Sequence, residues 1–144
     1  MDFTNEMVLK FDSKSINESF ARMVVAGFVA QLDPTIEEVN DVKTAVSEAV
    51  TNSIIHGYKD KIGKIKIKCK IKNNEVFIEI HDKGDGISDI KQAMEPLYTT
   101  RPEIERSGMG FSFMQAFMDD LIVKSQVGQG TIIKMKKVIN ISGD

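Results

Sequence analysis

The chain has 144 residues, 42% of them apolar and 28% charged, with a formal net charge of -2. That length suits one domain with a substantial core, and the charge balance gives no global reason for a nucleic-acid or membrane partner. Its single cysteine, Cys69, excludes an internal disulfide and points to a reducing cytoplasm. No apolar run reaches the roughly 20 residues of a membrane span. The N-terminus "MDFTNEMVLKFDSK" lacks the charged-then-apolar layout of a signal peptide. The expectation is a complete small cytoplasmic protein, a single domain over 1–144.

In chain order, "MVLKF" (7–11) alternates weakly and reads as an edge strand. From Ser15 to Leu32, Ile16, Phe20, Val24 and Phe28 recur at helical spacing, and "LDPT" stops the helix because proline disfavours helical geometry in the residue before it. Thr35 with Glu38 forms a capping box that opens a second helix. That helix carries Ile36, Val39, Val42, Val46, Val50 and Ile54 on its packing side and runs to Gly57.

"GKIKIKCKIKNNEVFIEIHD" follows. Ile65, Ile67, Cys69 and Ile71 alternate with lysines, Asn73-Asn74 turns the chain, and Val76, Ile78 and Ile80 line the return strand, which predicts a β-hairpin. A two-residue loop puts Lys68 opposite Glu79 and Lys72 opposite Glu75, so the lysine row reads as a solvated face with cross-strand pairs. Next on the apolar side comes Asp82, a carboxylate in line with a core-facing row, which is costly there unless something polar meets it. "SDIKQAM" predicts a short helix and "EPLYTTRPEIERSG" a long loop. Gly108 to Met118 predicts a third long helix, and "LIVKSQV", "GQGT" and "IIKMKKV" a closing hairpin. Antiparallel hairpins with helices on one face make an α+β two-layer sandwich.

Several chemistries are excluded. There is no P-loop, no dinucleotide-binding glycine fingerprint, no set of protein-kinase signature motifs and no Cys/His metal cluster. "DKGDGI" is not a calcium loop, since Gly84 and Gly86 interrupt the donors and the terminal Glu position falls on Ala93. Two features remain. Glu48 and Asn52, four apart on the second helix, share a face. Glycine pairs Gly84/Gly86, Gly108/Gly110 and Gly128/Gly130 stand at element junctions, where backbone can approach a ligand, and "SGMG" opens a helix whose free N–H groups suit an anion. Taken alone, each is more simply ordinary surface or turn chemistry.

The order of these pieces is more specific than any one of them. "EAVTN", then "DKGDG" ending a strand, then "SGMG" opening a helix, then "GQGT" in a late hairpin resembles the GHKL ATPase superfamily over residues 40–133. Its members include gyrase, MutL and sensor histidine kinases. "NESFAR", "FVAQLDPT", "IIHGY", "ERSGMGF" and "FMD" narrow the likeness to the stand-alone anti-sigma serine kinases of endospore-forming bacteria. The resemblance implies a Bergerat-type fold that binds ATP or ADP with Mg²⁺. Asp82 would accept a hydrogen bond from the adenine amino group, Thr131 would support the ring, Asn52 would hold Mg²⁺, and Glu48 would be the general base. Gly84 and Gly86 belong to the same nucleotide site. The loop from Leu97 to Ser107 would be an ATP lid contributing Thr99, Thr100, Arg106 and Ser107, with Gly108, Met109 and Gly110 at the phosphates. Arg101 and Arg106 are the candidates for the γ-phosphate.

The implied partners are sigma F and an anti-anti-sigma protein phosphorylated on serine, with Glu18 and Arg22 of the first helix as partner-binding residues and a homodimer formed at a sheet edge. The alternative is a nucleotide-gated sigma-binding module without phosphoryl transfer; a base at Glu48 favours the enzyme.

Overall fold

In a computed structural model, residues 4–59, 61–87, 89–94 and 110–140 are described. They form β1 (Thr4–Asp12), α1 (Ile16–Val29), α2 (Ile36–Asn52), β2 (Lys64–Lys72), β3 (Glu75–Asp82), α3 (Ile90–Ala93), α4 (Gly110–Phe117), β4 (Asp120–Gln126) and β5 (Gly130–Val138). The strands make one antiparallel sheet in the order β1-β2-β3-β5-β4. The architecture is the expected α+β sandwich, with 7–11 inside an edge strand. The expected helix start at Gly108 and the lid loop, including Thr99, Thr100, Arg101, Arg106, Ser107 and Met109, lie outside the described residues.

Alternation fixes the sheet. Ile65, Ile67, Cys69 and Ile71 of β2, Val76, Ile78 and Ile80 of β3, and Ile133 and Met135 of β5 are buried, while their neighbours face outward. Asn73 takes the left-handed φ of 55° that a two-residue hairpin turn requires. Burial pushes the Cys69 thiol up to about 12, so it is an inert core atom rather than a nucleophile.

α2 starts as its sequence dictates. The Thr35 hydroxyl accepts from Glu38 N (3.1 Å), and Glu38 Oε1 accepts from Thr35 N (2.9 Å). Glu38 Oε2 also accepts from Asn140 N at 2.8 Å, tying the helix start to the chain just beyond β5. Val42, Ala45, Val46, Ala49 and Val50 are buried, whereas Ile36 is 82% exposed.

α1 departs from expectation. It ends at Val29 in a 3₁₀ turn, Ala30–Leu32, closed by Asp33 at φ 51°. Its buried stripe is Ala21, Val25, Phe28 and Val29, while Ile16 and Phe20 are 80% and 51% exposed. The helix carries two apolar faces. Its packing against α2 buries the smaller one, which meets the alanines and valines of α2 at close range.

The cross-strand register also follows the prediction, with Lys68 opposite Glu79 and Lys72 opposite Glu75. The ion pairs do not. Glu79 bonds His81 at 2.8 Å, and Glu75 approaches Lys136 at 3.9 Å. Neither carboxylate lies within ion-pair distance of its β2 partner, and Lys64 of β2 pairs instead with Asp12.

Candidate nucleotide site

α2 does not continue to Gly57 as a regular helix. After Asn52 the chain widens into a π-helical turn, Ser53–Tyr58, a conformation that concentrates at functional sites. This turn forms one wall of a cavity of about 240 Å³. Asp82 ends β3 on the floor, with Thr131 directly opposite it on β5. Gly86, Ile87 and α3 form another side, and the start of α4 closes toward Asn52.

Asp82 meets two partners. Its Oδ2 accepts from the Ser53 hydroxyl at 2.8 Å and its Oδ1 from Gly84 N at 2.9 Å, and the Thr131 backbone lies near enough to favour the charged form. Burial nevertheless raises the carboxyl above the ordinary aspartate range, over the opposing pull of Gly84, Ser53, Thr131 and His81. Each carboxylate oxygen has two lone pairs, so these bonds leave acceptor capacity for a donor in the cavity.

The glycines around Asp82 exist for backbone contact. A Cβ on Gly84 would run into the Gly57 carbonyl, and one on Gly130, whose φ is 111°, into the Asp82 carbonyl oxygen. Gly84 therefore stands behind Asp82 and holds it rather than lining the cavity.

Asn52 and Glu48 converge on α4. A Cβ at Gly110 would lie 3.2 Å from Glu48 Oε2 and 3.3 Å from both Asn52 amide atoms, so a side chain there would press on both. Asn52 Nδ2 is buried without a hydrogen-bond partner among the described residues. Such an orphan is costly unless a ligand satisfies it. Gly110 is the first described residue of α4.

The structure thus brings Asn52, Asp82, Gly86, Gly110 and Thr131 to one cavity, with Glu48 one turn up α2 and Gly84 behind. Glu18 and Arg22 lie apart on α1. There Arg22 bonds Glu18 (3.3 Å), Ser19 (2.9 Å) and Ser47 of α2 (3.2 Å). Sequence reasoning missed Ser53 and Gly57. The only signal for Ser53 was its place next to Asn52.

An α+β sandwich that brings a buried aspartate, a helical asparagine unsatisfied among the described residues and a glycine of a further helix to one cavity defines a class. The profile of the histidine kinase-like ATPase domain matches residues 12–137. Curated relatives include the anti-sigma F factors of Thermoanaerobacter pseudethanolicus (63% identical over 139 residues, 96% of this chain and 97% of that one) and Clostridium botulinum strain Eklund 17B (62% over 140 residues, 96% and 98%). The chain belongs to the histidine kinase-like ATPase family and, within it, to the family of the anti-sigma F factors. Among solved structures, the RsbU and RsbW domains of a Mycobacterium tuberculosis protein share the fold at a TM-score of 0.65 and 15% identity, over 97% of this chain and 34% of that one. A histidine kinase domain from Erythrobacter litoralis does so at 0.54 and 17%, over 85% and 60%. Among the described residues no helix is long and apolar enough to cross a membrane.

Proposed function

We propose that the chain is a cytoplasmic anti-sigma factor that binds sigma F. As an ATP-dependent protein serine kinase it phosphorylates, and so inactivates, an anti-anti-sigma protein in the control of sporulation-specific transcription. The observation that carries this reading is the meeting of Glu48 and Asn52 with Gly110 of α4, beside a cavity floored by Asp82.

In this reading the adenine amino group donates to the remaining lone pairs of Asp82, Thr131 supports the ring, and Gly86 lines the entrance. The unsatisfied Asn52 amide fits a metal–phosphate ligand; a half-turn of the amide exchanges Nδ2 for Oδ1, the atom a hard cation takes. A Mg²⁺ held there would draw its other oxygens from phosphate and water and would neutralise charge on the transferred group. Glu48 takes the proton of the acceptor serine as its oxygen bonds the γ-phosphorus. The bond from phosphorus to the β,γ-bridging oxygen breaks, and ADP departs. The lid residues Thr99, Thr100, Arg101, Arg106, Ser107, Gly108 and Met109 are assigned to the phosphates from sequence alone.

Partner contact is assigned to Glu18 and Arg22, which are about one-third exposed, so each is free on one side. A homodimer at the β1 edge is supported by the exposure of Val8 on that strand and of Ile16, Phe20 and Met23 on α1.

The test is transfer of label from γ-labelled ATP with Mg²⁺ to the anti-anti-sigma protein of the same organism, alongside Glu48→Gln. We expect the variant to bind ADP as the native chain does and to transfer about 10²- to 10⁴-fold more slowly. Nucleotide binding without transfer by the native chain would leave the nucleotide-gated sigma-binding module.

A further inference from the structure

β3 and β5 divide the nucleotide cavity from a second concavity, an open groove of about 780 Å³ on the outer face of the sheet. One cross-strand row runs through it. Lys10 stands opposite Lys66, Lys66 opposite His81, His81 opposite Ile132, and Ile132 opposite Lys124. Lys64 and Lys83 join the lining, and Ser125, Gln126 and Gln129 add neutral hydrogen-bonding groups. Placing lysine directly opposite lysine costs stability.

The carboxyl residue in the lining, Asp82, is buried with its oxygens engaged by Ser53 and Gly84. Asp12 is taken by Lys64 at 2.6 Å and Glu79 by His81 at 2.8 Å. Among the described residues, Lys10, Lys66, Lys68, Lys70 and Lys124 have no carboxylate within ion-pair distance. The basic surface extends past the groove. Lys68 and Lys70 continue along β2, with alternate residues about 6.8 Å apart, and Lys134 and Lys136 flank them on β5. Phe77 lies on this face between Lys70 and Lys136. The same face also carries Glu6 opposite Lys70 and Asp120 opposite Lys136, so the lysine excess is concentrated in the groove itself, while Glu37, Glu38, Asp41 and Glu48 sit on α2 in the other layer.

We propose that the groove binds the phosphodiester backbone of single-stranded nucleic acid. A regular row of unpaired cations suits a linear polyanion, and the flat rings of His81 and Phe77 on the same face offer bases a stacking surface. An acidic protein is the poorer match. Protein interfaces are depleted of lysine at their centre, whereas nucleic-acid interfaces are polar and strongly positive. Here the floor itself is lysine and histidine.

The experiment is fluorescence anisotropy of a labelled twelve-nucleotide oligothymidylate, between about 50 and 200 mM salt, with and without saturating ADP. The three lysines of the row, Lys10, Lys66 and Lys124, predict a slope of log K against log salt of about -2, at roughly 0.7 per neutralised phosphate. Lys66→Glu combined with Lys124→Glu should weaken binding at least about tenfold and reduce the slope to about -0.7. Lys43→Glu on α2 should change neither. The paired Lys→Gln variant serves if charge reversal disturbs folding, and ADP binding by each variant reports an intact nucleotide site. Absent binding, equal weakening by Lys43→Glu, loss of binding with ADP, or equally tight binding of a labelled oligoglutamate would each overturn the assignment, the last in favour of an acidic protein.

Discussion

Asp82→Asn removes one charge and one acceptor from the floor of the nucleotide cavity. The amide must keep its oxygen toward Gly84, because that N–H is fixed by the backbone, whereas the Ser53 hydroxyl rotates and turns acceptor. Nδ2 therefore takes the position of Oδ2, and its second N–H faces the space into which the carboxylate offered lone pairs. An adenine amino group arriving there meets a donor. Losing a hydrogen bond to a charged acceptor costs about 1.5–3 kcal/mol, a rise in Kd of roughly 10- to 150-fold. Isothermal titration with ADP measures it.

Stability should move the other way. Burial holds the Asp82 carboxyl above the ordinary aspartate value of 3.8, so the native chain binds that proton more tightly than the unfolded chain does. The residue's contribution is fully present below 3.8 and is lost as pH rises through the raised value. At pH 7 the ionised aspartate is a cost that asparagine does not carry. Urea unfolding should show the variant at least as stable as the native chain at pH 7. The native chain's relative stability should decline as pH rises above 3.8 and then level off. Native affinity for ADP in the variant would refute the assignment of the acceptor. A loss of more than about 1 kcal/mol at pH 7, with no pH dependence in the difference, would refute the account of the buried charge.

Two other substitutions test the frame around the site. Glu38→Ala removes the capping box and the bond to Asn140, and should lower urea stability by about 2–3 kcal/mol at pH 7. Burial acts to raise Glu38, but the N–H groups of Asn140 and Thr35 and the Thr35 hydroxyl bring it below 4.5. Its contribution is therefore present at neutral pH and lost as pH falls through the lowered value, so native and variant stabilities should converge in acid. Gly84→Ala drives a methyl group into the Gly57 carbonyl; an overpacked contact of this kind costs about 1–3 kcal/mol. Because Gly57 and Gly84 hold Asp82, ADP affinity should fall with it.

The parts legible in the sequence were those whose pattern is local. The β2–β3 hairpin is specified by period-2 alternation and by two asparagines at its turn, and α2 by Thr35 and Glu38 three residues apart. α1 was misjudged because period 3.6 fits two faces of a helix carrying apolar residues on both. Which face is buried depends on how closely α2 approaches, and no residue of α1 encodes that. The site was legible as an order of motifs, but not in its construction. Ser53 reaches Asp82 only because the chain after Asn52 takes a π-helical turn, for which sequence carries no periodic signal. The role of Gly130 follows from β3 pairing with β5 rather than β4, a topological fact that appears in neither strand alone.

Three features of this region break the rules that the rest of the chain obeys. A carboxylate is buried in line with a core-facing row, a helical asparagine leaves a buried N–H unpaired, and a regular helix loosens after its fifth turn. Each is unfavourable in isolation, and sequences that fold well keep such conflicts few. All three lie on one cavity of about 240 Å³, where a single ligand relieves two of them by donating to Asp82 and engaging the Asn52 amide. The third, the π-helical turn, is what lets the Ser53 hydroxyl meet Asp82 while Asn52 faces α4. The clustering also accounts for the glycines. Gly57 lies on the cavity wall while Gly84 and Gly130 stand behind it; together they let three backbones close around one carboxylate and hold its acceptor lone pairs where a donor can reach them.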